Sequence, residues 1–187
     1  MKTRLLSATL LGAALLLGAT AQAAPDAAVP PLATIAALDV PRYMGTWYEI
    51  AKYPNRFQKN CAADTTATYS LQNDGRVRVV NRCRRQDGSE DVAEGVARQT
   101  GGATSPRLEV RFAPAILSFL PQVWGDYWVI KLDERYQLSV VSEPKREYLW
   151  ILSRTPRVDP AAYQALLDEL AGRGFDVSKL VPTPQRR

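Results

Sequence analysis

The sequence predicts an all-β fold: an eight-stranded antiparallel up-and-down β-barrel with one C-terminal α-helix packed outside it. Three observations carry this. Eight short runs have strand character, and most of them alternate apolar with polar residues. Short polar connections join nearly all of these runs, as antiparallel neighbours require. Helical periodicity occurs once, after the last strand. Closing the sheet removes its edges, which otherwise invite pairing between molecules. Eight strands enclose room for side chains or one small ligand. An open sandwich is the alternative arrangement of the same strands.

The elements follow in order. Thr46 to Lys52 is the first strand, ended by Pro54, which cannot donate to a ladder. In Thr65 to Leu71, residues Ala67, Tyr69 and Leu71 share one face. Asn73-Asp74-Gly75 marks a tight turn, since glycine tolerates positive φ. Arg76 to Cys83 returns with Val77, Val79 and Asn81 on one face. Ala93 to Gln99 is a weaker strand after the loop at Asp87-Gly88. Gly101-Gly102 leads into a strand in which Leu108, Val110 and Phe112 alternate with Glu109 and Arg111. Tyr127 to Leu132, Tyr136 to Ser142 and Tyr148 to Ser153 complete the set. Asp159 is then an N-cap with Pro160 at the first helical position. Ala162, Leu166, Leu167 and Leu170 recur at helical spacing, and Gly172 and Gly174 stop the helix. Residues 177–181 add a short extended tail.

Residues 1–23 have the features of a cleaved signal peptide. Lys2 and Arg4 precede an apolar stretch, and Ala21-Gln22-Ala23 suits signal peptidase. The apolar stretch is too short for a membrane span. Residues 24–38 are rich in Ala and Pro and read as a flexible leader, which leaves one domain over 39–187. No cysteine lies near the expected cleavage point, so no lipid anchor is expected there. The chain is expected to be exported, periplasmic and soluble, with an outer-membrane association as a further expectation.

Composition excludes several classes. The net charge of +5 falls to +3 once Lys2 and Arg4 are removed, and the charges are scattered apart from Arg82, Arg84 and Arg85. Nucleic acid would require a basic stripe with stacking aromatics. Histidine is absent, which removes Ser-His and Cys-His nucleophiles, His-bound zinc and His-ligated haem. No metal, cofactor or catalytic residue is expected.

In an up-and-down barrel the connections alternate between two rims. Cys61, before the second strand, and Cys83, at the end of the third, fall at one rim. An even cysteine count in an exported chain predicts one disulfide between them. The longest connection at that rim is APAILSFLPQVWGD, residues 113–126. Loops are usually polar, so this apolar loop is either a lid on the barrel's own core or a lip that meets ligand tails or a membrane surface.

Two motifs carry a family resemblance. GTWYEIAKYP (45–54) resembles the glycine-x-tryptophan signature of the lipocalins, and YLWILSRTP (148–156) resembles their last-strand motif with its arginine. ATYSLQNDGRVRVVNRC and GFDVSKL are similar to the bacterial outer-membrane lipocalins and apolipoprotein D. The resemblance implies an eight-stranded calyx for small hydrophobic ligands, with fatty acids or lysophospholipids as the ligands of this subgroup in cell-envelope lipid maintenance. It implies structural roles for Gly45, Trp47 and Arg154, with the indole across the closed end and the guanidinium against it. It makes Tyr69 and Trp150 pocket-lining positions. By alternation, Val79, Val110, Phe112, Val129, Leu138, Val140 and Tyr148 join them as lesser candidates.

The expected function is therefore non-enzymatic lipid binding and transport or storage. An isomerase-type enzyme using the same calyx is the alternative. Glu49, which shares parity with Trp47, is its candidate acid or base.

Overall fold

The computed structural model describes residues 30–186. The expected signal peptide and the first part of the leader lie outside the described residues. Nine strands form one antiparallel sheet: β1 (Gly45–Lys52), β2 (Ala63–Leu71), β3 (Val77–Arg84), β4 (Glu90–Gln99), β5 (Arg107–Arg111), β6 (Gly125–Leu132), β7 (Leu138–Ser142), β8 (Leu149–Ser153) and β9 (Val181–Pro182). Each of the first eight pairs with its sequence neighbour. β1 pairs with both β2 and β8, which closes the barrel. A short helix, α1 (Val40–Tyr43), precedes β1, and α2 (Pro160–Gly172) follows β8.

The helix predicted from the Asp159 cap is present over those bounds, and Asp159 accepts a hydrogen bond from the Ala162 amide at 2.9 Å. Its inner stripe, Leu166 and Leu170, is buried against the outside of the barrel with Val140, Leu149, Ile151 and Phe175. A second cluster fills the interior around Trp47, Tyr43, Tyr69, Val79 and Val129. The walls of β6, β7 and β8 under α2 are thus buried on both faces.

That double burial overrides the alternation at β7. Ser139 and Val141 face the interior, whereas Val140 packs under α2 and Leu138 packs against the same outer cluster. The polar residue of the run, Ser139, points inward to Tyr43 while α2 covers the outward Leu138 and Val140, so polarity does not mark the solvent side here. Register shifts at Glu49/Ala51 in β1 and at Val129/Lys131 in β6 also break strict alternation.

Two segments outside the barrel are ordered by it. Residues 30–38, the second part of the expected leader, run along its side. Leu32 and Leu38 are buried, and the Ile35 and Leu38 amides donate to the carbonyls of Val129 and Thr104. The C-terminal tail forms a 3-10 turn (Val177–Lys179) and then β9, which pairs with the end of β1 where β1 has left β2. Gln185 spans the seam, donating from Nε2 to the carbonyls of Glu49 at 2.8 Å and Thr65 at 3.0 Å.

Candidate functional site: the calyx

One rim of the barrel is sealed. Gly45 enters β1 at φ +95°, and a Cβ there would lie 3.2 Å from Arg154 Nη1, so the close approach suits glycine. The Arg154 guanidinium sits 4.0 Å over the Trp47 ring and donates to the carbonyls of Met44 at 2.7 Å, Thr46 at 3.0 Å and Tyr43 at 3.1 Å. Trp47 is fully buried, and its indole N–H donates to the Tyr43 carbonyl at 2.9 Å. The planar fork of arginine suits this task because it stacks and donates at once.

In the half of the barrel next to this floor, Val77, Val79, Ala97, Leu108 and Val110 line a small space together with Met44, Tyr43, Tyr69 and Tyr127. The void they enclose is about 20 Å³, room for one water. Burial raises the phenols of Tyr43, Tyr69 and Tyr127 above the usual tyrosine range, so all three are neutral hydroxyls. They form a chain. Tyr69 Oη is 2.9 Å from Tyr127 Oη, which is 3.1 Å from Tyr43 Oη, which is 3.0 Å from Ser139 Oγ.

The open rim carries an aromatic row. Tyr148 stacks on Trp150 at 5.8 Å and meets Phe57 at 5.7 Å. Trp150 donates to Gln58 Oε1 at 2.9 Å, and Gln58 donates to Glu49 at 2.5 Å. Glu49, only 3% exposed, also accepts from Lys52 at 3.0 Å and Thr183 at 2.6 Å. Its carboxylate is committed to three donors, which fits a structural brace at the seam better than a free general base. Phe112 lies against Gly95, where a Cβ would come within 2.8 Å of its ring, and stays 43% exposed at the mouth.

Of the residues expected to line the pocket, Tyr69, Val79 and Val110 come together around the void. Val129 is buried in the same interior cluster, and Trp150 packs against it. Phe112 and Tyr148 are at the mouth, while Leu138 and Val140 lie outside under α2. Sequence reasoning missed Tyr43, Tyr127 and Ser139. Tyr43 lies in α1, outside any alternating run. Tyr127 shares parity with Val129 and was reachable from the pattern.

Cys61 and Cys83 are joined, with Cα atoms 5.5 Å apart, at the open rim. The loop there folds into two 3-10 turns, Ala115–Leu117 and Pro121–Val123. Trp124 anchors it. Arg98 lies 4.1 Å and Arg111 5.3 Å from its ring, and its N–H donates to the Ser118 carbonyl. Ile116 and Phe119 project outward, 80% and 74% exposed, on the same rim as Phe57 at 63%.

A sealed floor, an apolar lumen and an open rim define the class of calyx proteins, closed barrels built around an interior space. A family model described as a lipocalin-like domain matches residues 38–185. Temperature-induced lipocalin-1 of Arabidopsis thaliana is 43% identical over 150 residues, 79% of this chain and 80% of that one. The outer membrane lipoprotein Blc of Escherichia coli is 42% identical over 144 residues, 76% and 77% of the two chains. Apolipoprotein D of Mus musculus is 34% identical over 154 residues, 79% and 77%. Insecticyanin from the tobacco hornworm Manduca sexta shares the fold, with a TM-score of 0.63 at 19% identity, covering 82% of this chain and 84% of that one. The chain belongs to the lipocalin family, whose members bind small hydrophobic ligands.

Proposed function

We propose that this lipocalin is a non-enzymatic carrier of single-chain lipids, fatty acids or lysophospholipids, in the maintenance of the cell envelope. The observation that carries the reading is a closed barrel, sealed at one rim, with an apolar space inside it walled by Val77, Val79, Ala97, Leu108 and Val110. Burying an acyl chain there gains on the order of 25 cal/mol per Å². The lumen must widen to take a chain, since drug-sized pockets hold roughly 300 Å³ or more. Met44 is unbranched and adaptable, and Phe112 at the mouth is not locked in the core. Among the described residues Arg56 and Lys59 at the rim carry no carboxylate partner, unlike Arg82 and Arg84, which pair with Glu90 and Asp64. Arg56 and Lys59 are the cations that would face a carboxylate or phosphate head group. Titration with a fluorescent fatty acid, displaced by unlabelled lipid, tests the proposal. Saturable one-to-one binding supports it, and no binding overturns it. The small void favours a second reading, a barrel filled by its own side chains, which the no-binding result would establish.

Export to the periplasm is part of the proposal. It rests on the signal-like residues 1–23 and on a disulfide, which persists in oxidising compartments. Both cysteines of the sequence are in that bond, so neither is left to carry a lipid. The loop at residues 113–126 is the proposed point of membrane contact. Edman sequencing of the exported protein should begin at Ala24; a start at Met1 would refute cleavage.

A further inference from the structure

Outside the barrel, beside the end of α2, lies a second space far larger than the void in the calyx, about 270 Å³ against about 20 Å³. Three separate segments build it. Tyr53 follows β1, Lys145 and Arg146 belong to the turn between β7 and β8, and Phe175, Asp176 and Lys179 belong to the link between α2 and β9. Tyr53 and Phe175 are 6% and 4% exposed and form an apolar floor. The Tyr53 hydroxyl donates to the Asp176 carbonyl at 2.9 Å, which ties the link to the end of β1. The β7–β8 turn is at the open rim, so this groove lies at the same end of the molecule as the lip.

The charges around the groove do not cancel. Lys145, Arg146 and Lys179 line it with one carboxylate, Asp176. Asp176 Oδ1 accepts from the Ser178 N–H and O–H, and its Oδ2 lies 3.6 Å from Lys179 Nζ. Glu143 accepts from the amides of Lys145, Glu147 and Tyr148, and Glu147 does not line the groove. Among the described residues neither Lys145 nor Arg146 has a carboxylate within ion-pair distance. Arg146 is held in place, donating from Nε to the Arg173 carbonyl at 3.2 Å and from Nη2 to the Pro30 carbonyl at 2.7 Å. Its guanidinium is 5.7 Å from the centre of the Phe175 ring. Nη1 and two lysine ammoniums remain around one space. A fixed fork flanked by two flexible ammoniums suits a compact dianion, and a phosphate monoester carries a charge of about −1.5 to −2 at pH 7. The apolar floor favours an ester over the bare ion. We infer that this groove is a second binding site, separate from the calyx, for a phosphate monoester on a small apolar body.

Two sources carry that chemistry, a soluble ester and a lipid head group at a bilayer surface, and the test separates them. It does not depend on what the calyx carries. Backbone amide NMR shifts of the mature protein are followed at about 0.15 M salt, which screens diffuse attraction, during titration with phenyl phosphate, benzoate and inorganic phosphate. Co-sedimentation compares vesicles containing phosphatidic acid, a monoester, with phosphatidylglycerol vesicles, a diester, at matched surface charge. Lys145 and Lys179 are exposed, so Lys145→Gln with Lys179→Gln should leave Tm within about 1 °C. A soluble ester as the ligand predicts saturable shifts at residues 145–146 and 174–179 with phenyl phosphate, about tenfold tighter than benzoate and lost in the double variant, as removal of charge-assisted hydrogen bonds requires. A lipid head group predicts a preference for phosphatidic acid vesicles that disappears in the double variant. Either result supports the site. Shifts that do not saturate together with no phosphatidic acid preference overturn it. So does equal affinity for phenyl phosphate, benzoate and inorganic phosphate, or binding that survives the double variant.

Discussion

At the scale of single residues, the floor depends on one guanidinium serving several carbonyls and one indole. Arg154→Ala removes a cation–π contact and leaves the carbonyls of Met44, Thr46 and Tyr43 without these donors. The expected loss is about 3 kcal/mol, near 10 °C in Tm for a domain of this size. Arg154→Lys restores the charge but not the fork, so it should recover less than half. Thermal unfolding of the three proteins checks this. Trp47 and Arg154 were legible in the sequence only through motif resemblance, because nothing in local periodicity says that an arginine after the last strand reaches back to the first. Tyr69 was legible from alternation as well. Tyr43 was not, since it belongs to a four-residue helix whose position is set by tertiary contacts.

At the scale of elements, the barrel has a seam and a lip. β1 pairs with β2 only at its beginning, and the tail fills the gap beyond. Gln185→Ala unties the carbonyls of Glu49 and Thr65. Hydrogen exchange should then quicken at residues 63–66 and 181–185, while global stability falls by only about 1–2 kcal/mol. Unchanged exchange there would show that the tail is a bystander. The lip makes a different prediction. Ile116 and Phe119 are outside the core, so Ile116→Asp with Phe119→Asp should shift Tm by no more than about 1 °C, as exposed substitutions do. Removing two large apolar anchors should still weaken binding to anionic phospholipid vesicles more than tenfold, measured by co-sedimentation. The strands and their order could be read from alternation and turn residues. The facing of β7 could not, because α2 covers its apolar outer side while polar Ser139 turns inward to Tyr43. The seam was equally hidden, because a two-residue strand leaves no periodic trace.

At the scale of the whole molecule, the interior is a neutral hydroxyl cluster in an apolar shell, and this shapes the response to pH. Tyr43, Tyr69 and Tyr127 have folded-state pKa values raised by burial. Above the unfolded tyrosine pKa of about 10, the unfolded chain loses protons that the folded chain keeps. Stability from these groups is therefore complete below that pH and declines above it. Tm should drop steeply above about pH 10, with the buried phenols ionising only as the protein unfolds, seen as a coincident rise in tyrosinate absorbance. The barrel, its closure and its open rim were legible from sequence, whereas the contents of the lumen were not, since they depend on which side chains converge from α1, β2, β6 and β7. The central claim is that this lumen opens to hold one lipid chain, and native mass spectrometry of the protein isolated from its own cells tests it most directly. The account predicts a mass increment of one single-chain lipid per barrel, lost on delipidation and regained on adding lipid; protein that carries nothing and regains nothing would contradict it.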